Sequence, residues 1–141
     1  ADLGVKAKQQ SWMFCEDNSR DPEIAVAKLL DQPKAPSIIL TTNNDMALVV
    51  LKTAGNRRLV IGKDISLITV DDSQWAAAMA PGITVVARPV EDLGSITVEK
   101  LLAEIEAPGQ KAEKIVLPTE LIARGSVANL VMYPENDPEN Y

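Results

Sequence analysis

The sequence predicts an α/β fold in which helices flank a parallel sheet. Residues 37–42 and 65–70 are short runs of branched apolar side chains bounded by turn or capping residues. Such near-continuous runs are typical of strands covered on both faces. Helical segments alternate with these strands, and a strand–helix–strand order favours parallel pairing through right-handed crossovers. The 141 residues are enough for one domain.

Three helices are predicted from capping residues and apolar spacing. The first covers residues 22–31, because Asp21 can cap it and a proline occupies its first position. The second covers residues 44–54 and ends at Gly55, since glycine often closes a helix. The third covers residues 91–106 and carries its leucines and isoleucines broadly on one side.

Two further strands and a tail complete the predicted order. Residues 83–87 and 114–117 are shorter runs of branched apolar residues, and we expect them to extend the sheet. Residues 131–141 combine prolines with acidic side chains and have no apolar periodicity. We therefore expect this segment to be a disordered tail.

The composition excludes several kinds of chemistry. The chain has no histidine, so Ser-His-Asp, Cys-His and HExxH sites are not available. The net charge of −6 has the wrong sign for a chain that holds nucleic acid by itself. The single Cys15 cannot form an internal disulfide, and no apolar run approaches the roughly 20 residues that span a membrane. We expect a binding domain that is not an enzyme and needs no cofactor or metal.

Polar side chains follow the two strongest predicted strands, at residues 41–45 and 71–73. Ligands of open α/β sheets bind beyond the carboxyl ends of the strands. Asn43 offers a donor and an acceptor, and Asp71 is an acceptor when ionised. Together these two side chains suit the hydroxyl groups of a polyol or sugar.

Local structure offers an alternative role for the same residues. Asn43 or Asn44 can cap the helix that follows, and Asp72 or Ser73 can cap a short turn. A metal site at Asp71 and Asp72 is poorly supported, because no third carboxylate stands at a suitable spacing. Both the capping role and the ligand role stay open at this level.

Trp12 is the remaining aromatic candidate for a ligand contact. It follows a predicted strand, where a core or interface tryptophan is the default and stacking on a ligand is the alternative. Trp75 stands among alanines, which favours packing or a subunit contact.

Five segments between residues 36 and 126 carry a more specific signal. They read TTNNDMAL, GKDISLITVDD, PGITVVARP, LG followed by LL, and LPTELIARGS. They resemble, in the same order and at the same spacing, the S/T-N-D-x-M-A, P-x-D-I-S-V-V-G-F-D-D, P-P-L-T-T-V-x-Q-P, L-G-x-x-A-x-x-L-L and L-P-x-E-L-V-x-R-x-S motifs of the lactose-repressor/galactose-repressor (LacI/GalR) family. Each motif alone is weak, and the ordered set is specific.

The resemblance implies the effector-sensing domain of a cytoplasmic bacterial transcription regulator. In this family the domain has the type I periplasmic-binding-protein fold, whose two lobes close on a small ligand. Residues 1–89 and 118–130 would form most of the second lobe, and residues 90–117 would belong to the first. We thus expect an incomplete domain, in which the helix at 91–106 lacks its usual cover and packs on a neighbouring chain. Operator DNA is read in the family by a helix-turn-helix head, which this chain does not contain.

The resemblance also implies roles for single residues. Asn43 and Asp71 match family positions that bond effector hydroxyls, and Trp12 falls near an aromatic that stacks on a sugar ring. Arg88 replaces the usual glutamine at a crossing between the lobes, and Thr69 replaces a glycine. Because arginine adds a bidentate fork for anions, we expect a sugar acid or sugar phosphate rather than a neutral hexose.

A homodimer is a further implication of the resemblance. Family dimer contacts come from the helix after the asparagine and from the segment after the acidic pair. In this chain those contacts correspond to Leu48, Leu51, Met79 and Ala80. Charged substitutions there would weaken the dimer.

Two other classes of protein compete with the regulator. A periplasmic sugar-binding protein of an ABC-type transporter has the same fold. A secretion signal upstream would favour this protein, and a helix-turn-helix upstream would favour the regulator. An enzyme on a doubly wound sheet is poorly supported, because the sequence has no G-x-G-x-x-G or G-x-x-x-x-G-K-S/T phosphate loop and no nucleophile with a base.

Overall fold

The computed structural model describes residues 21–109 and 111–128. Four strands form one sheet in the order β1-β2-β3-β4. The first three are parallel, and the fourth is antiparallel to the third. In chain order the elements are α1 (Pro22–Leu30), β1 (Ile38–Thr41), α2 (Asn44–Asn56), β2 (Ser66–Val70), α3 (Gln74–Ala78), β3 (Thr84–Ala87), α4 (Val90–Glu106) and β4 (Glu120–Ile122). The predicted α/β class, with helices flanking the sheet, is confirmed.

The first two helices begin where the capping residues predict. Asp21 accepts a hydrogen bond from the Glu23 N–H at 2.9 Å, which satisfies one of the free donors of the first turn of α1. The prediction ends α2 at residue 54, two residues before its observed end at Asn56. Gly55 stays helical, and Arg58, with a φ of 59°, is the residue that turns left-handed after the helix.

The hydrophobic core lies between α1, α2 and one face of the sheet. Val26 of α1 and Val50 of α2 are almost completely buried against it. On the sheet, Leu67 and Val85 are fully buried, and Ile39 lies beside Leu67 in register. Burial of apolar surface at this face is the main stabilising contribution to the fold.

The prediction of a strand at residues 114–117 is wrong. Residues 111–119 form no regular element, and Val116 is 74% exposed. The fourth strand is β4 instead, where Leu121 pairs with Val86. The apolar run has no neighbouring strand to complete its hydrogen bonds, whereas β4 lies after Pro118 and meets the free edge of β3. Because β4 runs antiparallel to β3, the sheet is mixed rather than wholly parallel.

The segment after β2 forms a short helix, α3, where only a capped turn had been considered. Ser73 occupies the N-cap position of α3, but its side chain makes no capping hydrogen bond. α3 contributes one fully buried side chain, Ala76, to the core.

The long helix α4 has no buried residue. Its large apolar side chains are about half exposed or more, among them Leu93, Leu101 and Ile105. This exposure agrees with the expected lack of cover, and packing on a neighbouring chain stays a prediction. In the described part of the chain, no helix combines the length and apolarity that a membrane crossing needs.

Candidate functional site

The polar ends of β1 and β2 lie side by side at one edge of the sheet. These strands are parallel neighbours, so the loops that follow them leave from the same edge. The two loops touch: Ser73 Oγ donates to Asn44 Oδ1 at 3.4 Å, and Thr69 Oγ1 donates to the Asn43 carbonyl oxygen at 3.2 Å. The structure therefore brings the loop of Asn43 and the loop of Asp71 together.

Asn43 is the N-cap of α2. Its Oδ1 accepts a hydrogen bond from the Met46 N–H at 2.9 Å, and its main-chain carbonyl accepts from the Ala47 N–H at 3.3 Å. The capping role considered from the sequence is thus confirmed. It does not exclude a ligand role, because the side chain is exposed and no described residue accepts from its Nδ2. What Asn43 can still offer a ligand is therefore mainly its Nδ2 donor.

Asp71 and Arg88 form a two-pronged ion pair. Arg88 Nε and Nη2 each donate to one carboxylate oxygen of Asp71 at 2.5 Å. The hydrogen bonds from Arg88 hold the pKa of the Asp71 carboxyl below its usual value, and Asp71 in turn raises the pKa of Arg88. Asp71 is therefore ionised at neutral pH.

The backbone of Asp71 is unusual. Its φ of 73° lies in the left-handed region, which costs a non-glycine residue energy and often marks a functional turn. Its N–H donates to the Val86 carbonyl at 3.0 Å, which ties this turn to β3.

One edge of the Arg88 guanidinium stays open. Nε and Nη2 face Asp71, while Nη1 donates to no described residue. Arginine can bind a second acceptor end-on through its two Nη atoms. The site thus offers donors from Arg88 and Asn43, together with the remaining acceptor positions of the Asp71 carboxylate.

A second ion pair, which the sequence does not predict, lies next to the first. Arg124 donates to both carboxylate oxygens of Asp72 at 2.8 Å, and its Nη1 also donates to the Ile83 carbonyl at 2.9 Å. Arg124 lowers the pKa of Asp72 through these hydrogen bonds. Asp72 therefore binds an arginine rather than capping a turn. The LPTELIARGS motif identified the position of Arg124 but not its partner.

The described residues contain no group of three or more metal-binding His, Cys, Asp or Glu side chains. Trp12 lies outside the described residues, as do Cys15 and the tail at residues 131–141. Trp75 is half-buried against the core, which agrees with the packing role considered for it.

The four residues expected at a dimer interface differ in exposure. Leu48 and Met79 are 47% and 40% exposed, and Ala80 is also exposed. Leu51 is half-buried and packs on the hydrophobic core. Three of the four therefore lie on the surface.

The mixed sheet with flanking helices, and the polar residues that follow its parallel strands, place the chain among α/β domains. The family described as periplasmic binding protein-like domain matches residues 4–127. The chain belongs to this family.

The chain is similar to curated bacterial repressors. It is 38% identical to the probable opine utilization operon repressor of Rhizobium rhizogenes, over 73% of this chain and 52% of the relative. It is 36% identical to the probable HTH-type transcriptional repressor ExuR of Bacillus subtilis, over 75% of this chain and 32% of the relative. The chain thus spans about half and about a third of these two proteins.

A solved structure agrees with this assignment. The LacI family transcriptional regulator from Enterococcus faecium, crystallised with bound ribose, is 27% identical to this chain, with a TM-score of 0.69. The alignment covers 77% of this chain and 40% of that one. These similarities confirm the LacI-family resemblance and the partial domain, and they favour the regulator over the transporter protein.

Proposed function

We propose that this chain is the effector-sensing part of a LacI-type transcription regulator. A small molecule binds at the ends of β1 and β2, and its binding changes the affinity of a helix-turn-helix head, outside this chain, for operator DNA. The repressor names of the relatives support this function, and they support a cytoplasmic protein that is not an enzyme. A ligand that contacts both lobes stabilises the closed arrangement by its differential contacts, and this couples the two sites.

The observation that carries the proposal is the strand-end cluster of Asn43, Asp71 and Arg88. The three residues follow β1, β2 and β3, which are neighbouring parallel strands and end at the same edge of the sheet. They are polar, at least partly exposed and able to form further hydrogen bonds. Hydroxyl groups of a sugar need both donors and acceptors of this kind.

The electrostatics of the cluster favour an acidic effector. Arg88 neutralises Asp71, so the carboxylate does not leave a net negative charge that would repel an anion. The open edge of Arg88 and the Asn43 Nδ2 are both donors, which suit a carboxylate or phosphate. We therefore infer that the effector is a sugar acid or sugar phosphate. The ribose in the Enterococcus faecium structure supports the sugar part of this class.

Calorimetric titration of the full-length protein tests the effector class. D-Glucuronate and D-glucose share the same ring and differ by a carboxylate at one carbon, so they form a matched pair of probes. We expect D-glucuronate to bind at least about tenfold more tightly, because a charge-assisted pair adds free energy that a hydroxyl does not. Arg88→Gln should remove most of this preference. Binding of D-glucose alone would contradict the acidic class.

A homodimer is the remaining part of the proposal. The exposed Leu48, Met79 and Ala80 support it, because large apolar side chains on a surface are common at subunit contacts. Leu51 would contribute less than the other three, since it is already partly buried against the core.

A further inference from the structure

Two buried threonines form a chain of hydroxyl groups that ends at the backbone of Asn43. Thr41 Oγ1 donates to Thr69 Oγ1 at 2.8 Å, and Thr69 Oγ1 donates to the Asn43 carbonyl oxygen at 3.2 Å. The other acceptor near Thr69, the Val70 carbonyl, is farther away at 3.4 Å. Thr69 is completely buried and Thr41 is 6% exposed. Each hydroxyl has one proton, so the chain of donors runs in one direction and terminates at Asn43.

Packing alone does not require this pair of hydroxyls. Thr69 lies between Thr41 and Val85 in register, on the same face of the sheet as the fully buried Leu67. Replacing both partners of a buried hydrogen bond by apolar groups of the same shape is nearly neutral for stability. Two valines would therefore serve the core as well as two threonines do.

The acceptor at the end of the hydroxyl chain is the carbonyl oxygen of Asn43, a residue of the candidate binding site. Asn43 is already fixed from α2 by the N–H groups of Met46 and Ala47. Thr69 adds an anchor from the neighbouring strand, so the Asn43 peptide cannot rotate without breaking bonds on two sides. The LacI/GalR motif has glycine where this chain has Thr69, and glycine has no side chain to supply that anchor.

We propose that Thr69, held in turn by Thr41, is a positioning residue for effector binding. Its hydroxyl fixes the Asn43 peptide while Oδ1 caps α2, so that the side-chain Nδ2 stays directed to the ligand. The assignment of this edge as the binding site rests on the proposed function. The effect on the Asn43 peptide itself does not.

Amide hydrogen exchange in the full-length protein tests the positioning role without any ligand. Thr69→Val keeps the shape of the side chain and removes the hydroxyl, whereas Thr69→Ser keeps the hydroxyl. In Thr69→Val we expect the amides of Met46 and Ala47 to exchange about 3- to 10-fold faster, because loss of one net hydrogen bond frees the cap. Thr69→Ser should stay close to the wild type at both amides. The amide of Val50, farther along α2, is the internal control and should not change relative to the wild type.

A double variant guards against a simple loss of folding. Thr41→Val combined with Thr69→Val leaves no buried hydroxyl without a partner. It should melt near the wild-type temperature and still show the faster exchange. Wild-type exchange rates in both valine variants would overturn the proposal, as would equally fast exchange in Thr69→Val and Thr69→Ser.

Calorimetric titration with D-glucuronate extends the test to the binding site. Thr69→Val should bind this probe about 3- to 10-fold more weakly than the wild type, and Thr69→Ser should bind it nearly as well. Faster exchange in Thr69→Val without weaker binding would show that the Asn43 peptide does not act on the ligand. If the wild type binds D-glucose and not D-glucuronate, the acidic effector class fails, while the exchange result still decides whether Thr69 holds the Asn43 peptide.

Discussion

Gly62 has no room for a side chain. Its φ is 81°, and a Cβ placed on it would lie 2.1 Å from the Gly125 carbonyl oxygen. The loop before β2 and the loop after β4 can meet there only because this position has no side chain. The segment around Ser126 is thereby held against the sheet, where the Ser126 hydroxyl donates to the Leu67 carbonyl at 2.6 Å.

Alanine substitutions at two glycines should have opposite effects on stability. Gly62→Ala forces a clash with backbone and a strained φ, so we expect the free energy of unfolding to fall by about 2 kcal/mol or more. Gly55→Ala is the matched control. It lies in α2 with open space around its Cβ position, and it should raise the stability by about 0.5–1 kcal/mol. Urea denaturation measures both changes, and a neutral Gly62→Ala would contradict the close approach.

The ion pair between Asp72 and Arg124 should make stability depend on pH in the acid range. The pKa of Asp72 is lowered in the folded protein by its hydrogen bonds to Arg124. A lowered carboxyl pKa contributes stability that is present above the unfolded value of about 3.9 and is lost as the pH falls through the folded pKa. Arg124→Met should lower the melting temperature by roughly 3–6 °C at pH 7.

The difference between Arg124→Met and the wild type should shrink below about pH 4. The methionine keeps much of the apolar stem of the arginine, so loss of packing is limited. Calorimetric melting curves at pH 7 and near pH 3 measure the two differences. An equal difference at both pH values would mean that Arg124 acts through its hydrogen bond to the Ile83 carbonyl and not through Asp72.

At the scale of single residues, the sequence indicates where polar groups stand but not how they pair. Asn43 and Asp71 were predicted at one sheet edge, because parallel strands end on the same side. The partners of Asp71 and Asp72 are 17 and 52 residues away along the chain. Such pairs depend on the register of β3 and β4, which no local pattern of residues encodes.

At the scale of elements, the start of α2 serves two purposes. The Asn43 Oδ1 satisfies a free donor of the helix, and the Nδ2 of the same exposed side chain donates to no described residue. A helix N-terminus carries a partial positive charge from its unpaired N–H groups. The cap and the candidate ligand contact are therefore combined in one amide group.

Two substitutions at Asn43 should separate capping from ligand binding. Asn43→Asp keeps an oxygen that caps α2, so we expect the stability to stay within about 0.5 kcal/mol of the wild type. Removal of the Nδ2 donor and the added negative charge should nevertheless weaken D-glucuronate binding about tenfold or more. Thermal melting and calorimetric titration measure the two effects.

Asn43→Ala is the comparison for the cap. It removes the capping oxygen and should cost about 1 kcal/mol of stability. Equal D-glucuronate affinity in the wild type and Asn43→Asp would show that Asn43 has a capping role alone.

The elements with strong local signals could be predicted, and those defined by tertiary contacts could not. The bounds of α1, α2 and β2 agree with the predictions to within two residues, because caps and branched apolar runs mark them. The three-residue β4 has too few residues for a pattern and exists because β3 offers it a free edge. The apolar run at residues 114–117 shows the converse, since it finds no such edge.

At the scale of the whole molecule, exposed apolar side chains are distributed over several surfaces. α4 carries one such surface, Leu48 lies in α2, and Met79 follows α3 as its C-cap. The relatives are about two to three times as long as the aligned segment. The fold of the described residues is thus that of a part whose apolar surfaces exceed what its own core covers.

Charged residues at Leu48 and Met79 should weaken a homodimer. Burying a carboxylate without a partner is costly, so Leu48→Asp combined with Met79→Glu should raise the dimer dissociation constant about 100-fold or more. Sedimentation of the full-length protein measures the shift toward monomer. Ile24→Asp is a matched control on α1, because Ile24 is 55% exposed and is not expected at the interface. An unchanged mass in the double variant would contradict this dimer.

The two consecutive aspartates have a mechanical consequence. Arg88 stands where the chain leaves the sheet toward α4, and Arg124 stands where it has just come back. Asp71 and Asp72 therefore hold both the outgoing and the returning segment to one turn. A displacement of either segment is transmitted to the other through two adjacent peptide units. If a ligand drew Arg88 away from Asp71, the outgoing segment would be released, while the pair between Asp72 and Arg124 would still hold the returning one.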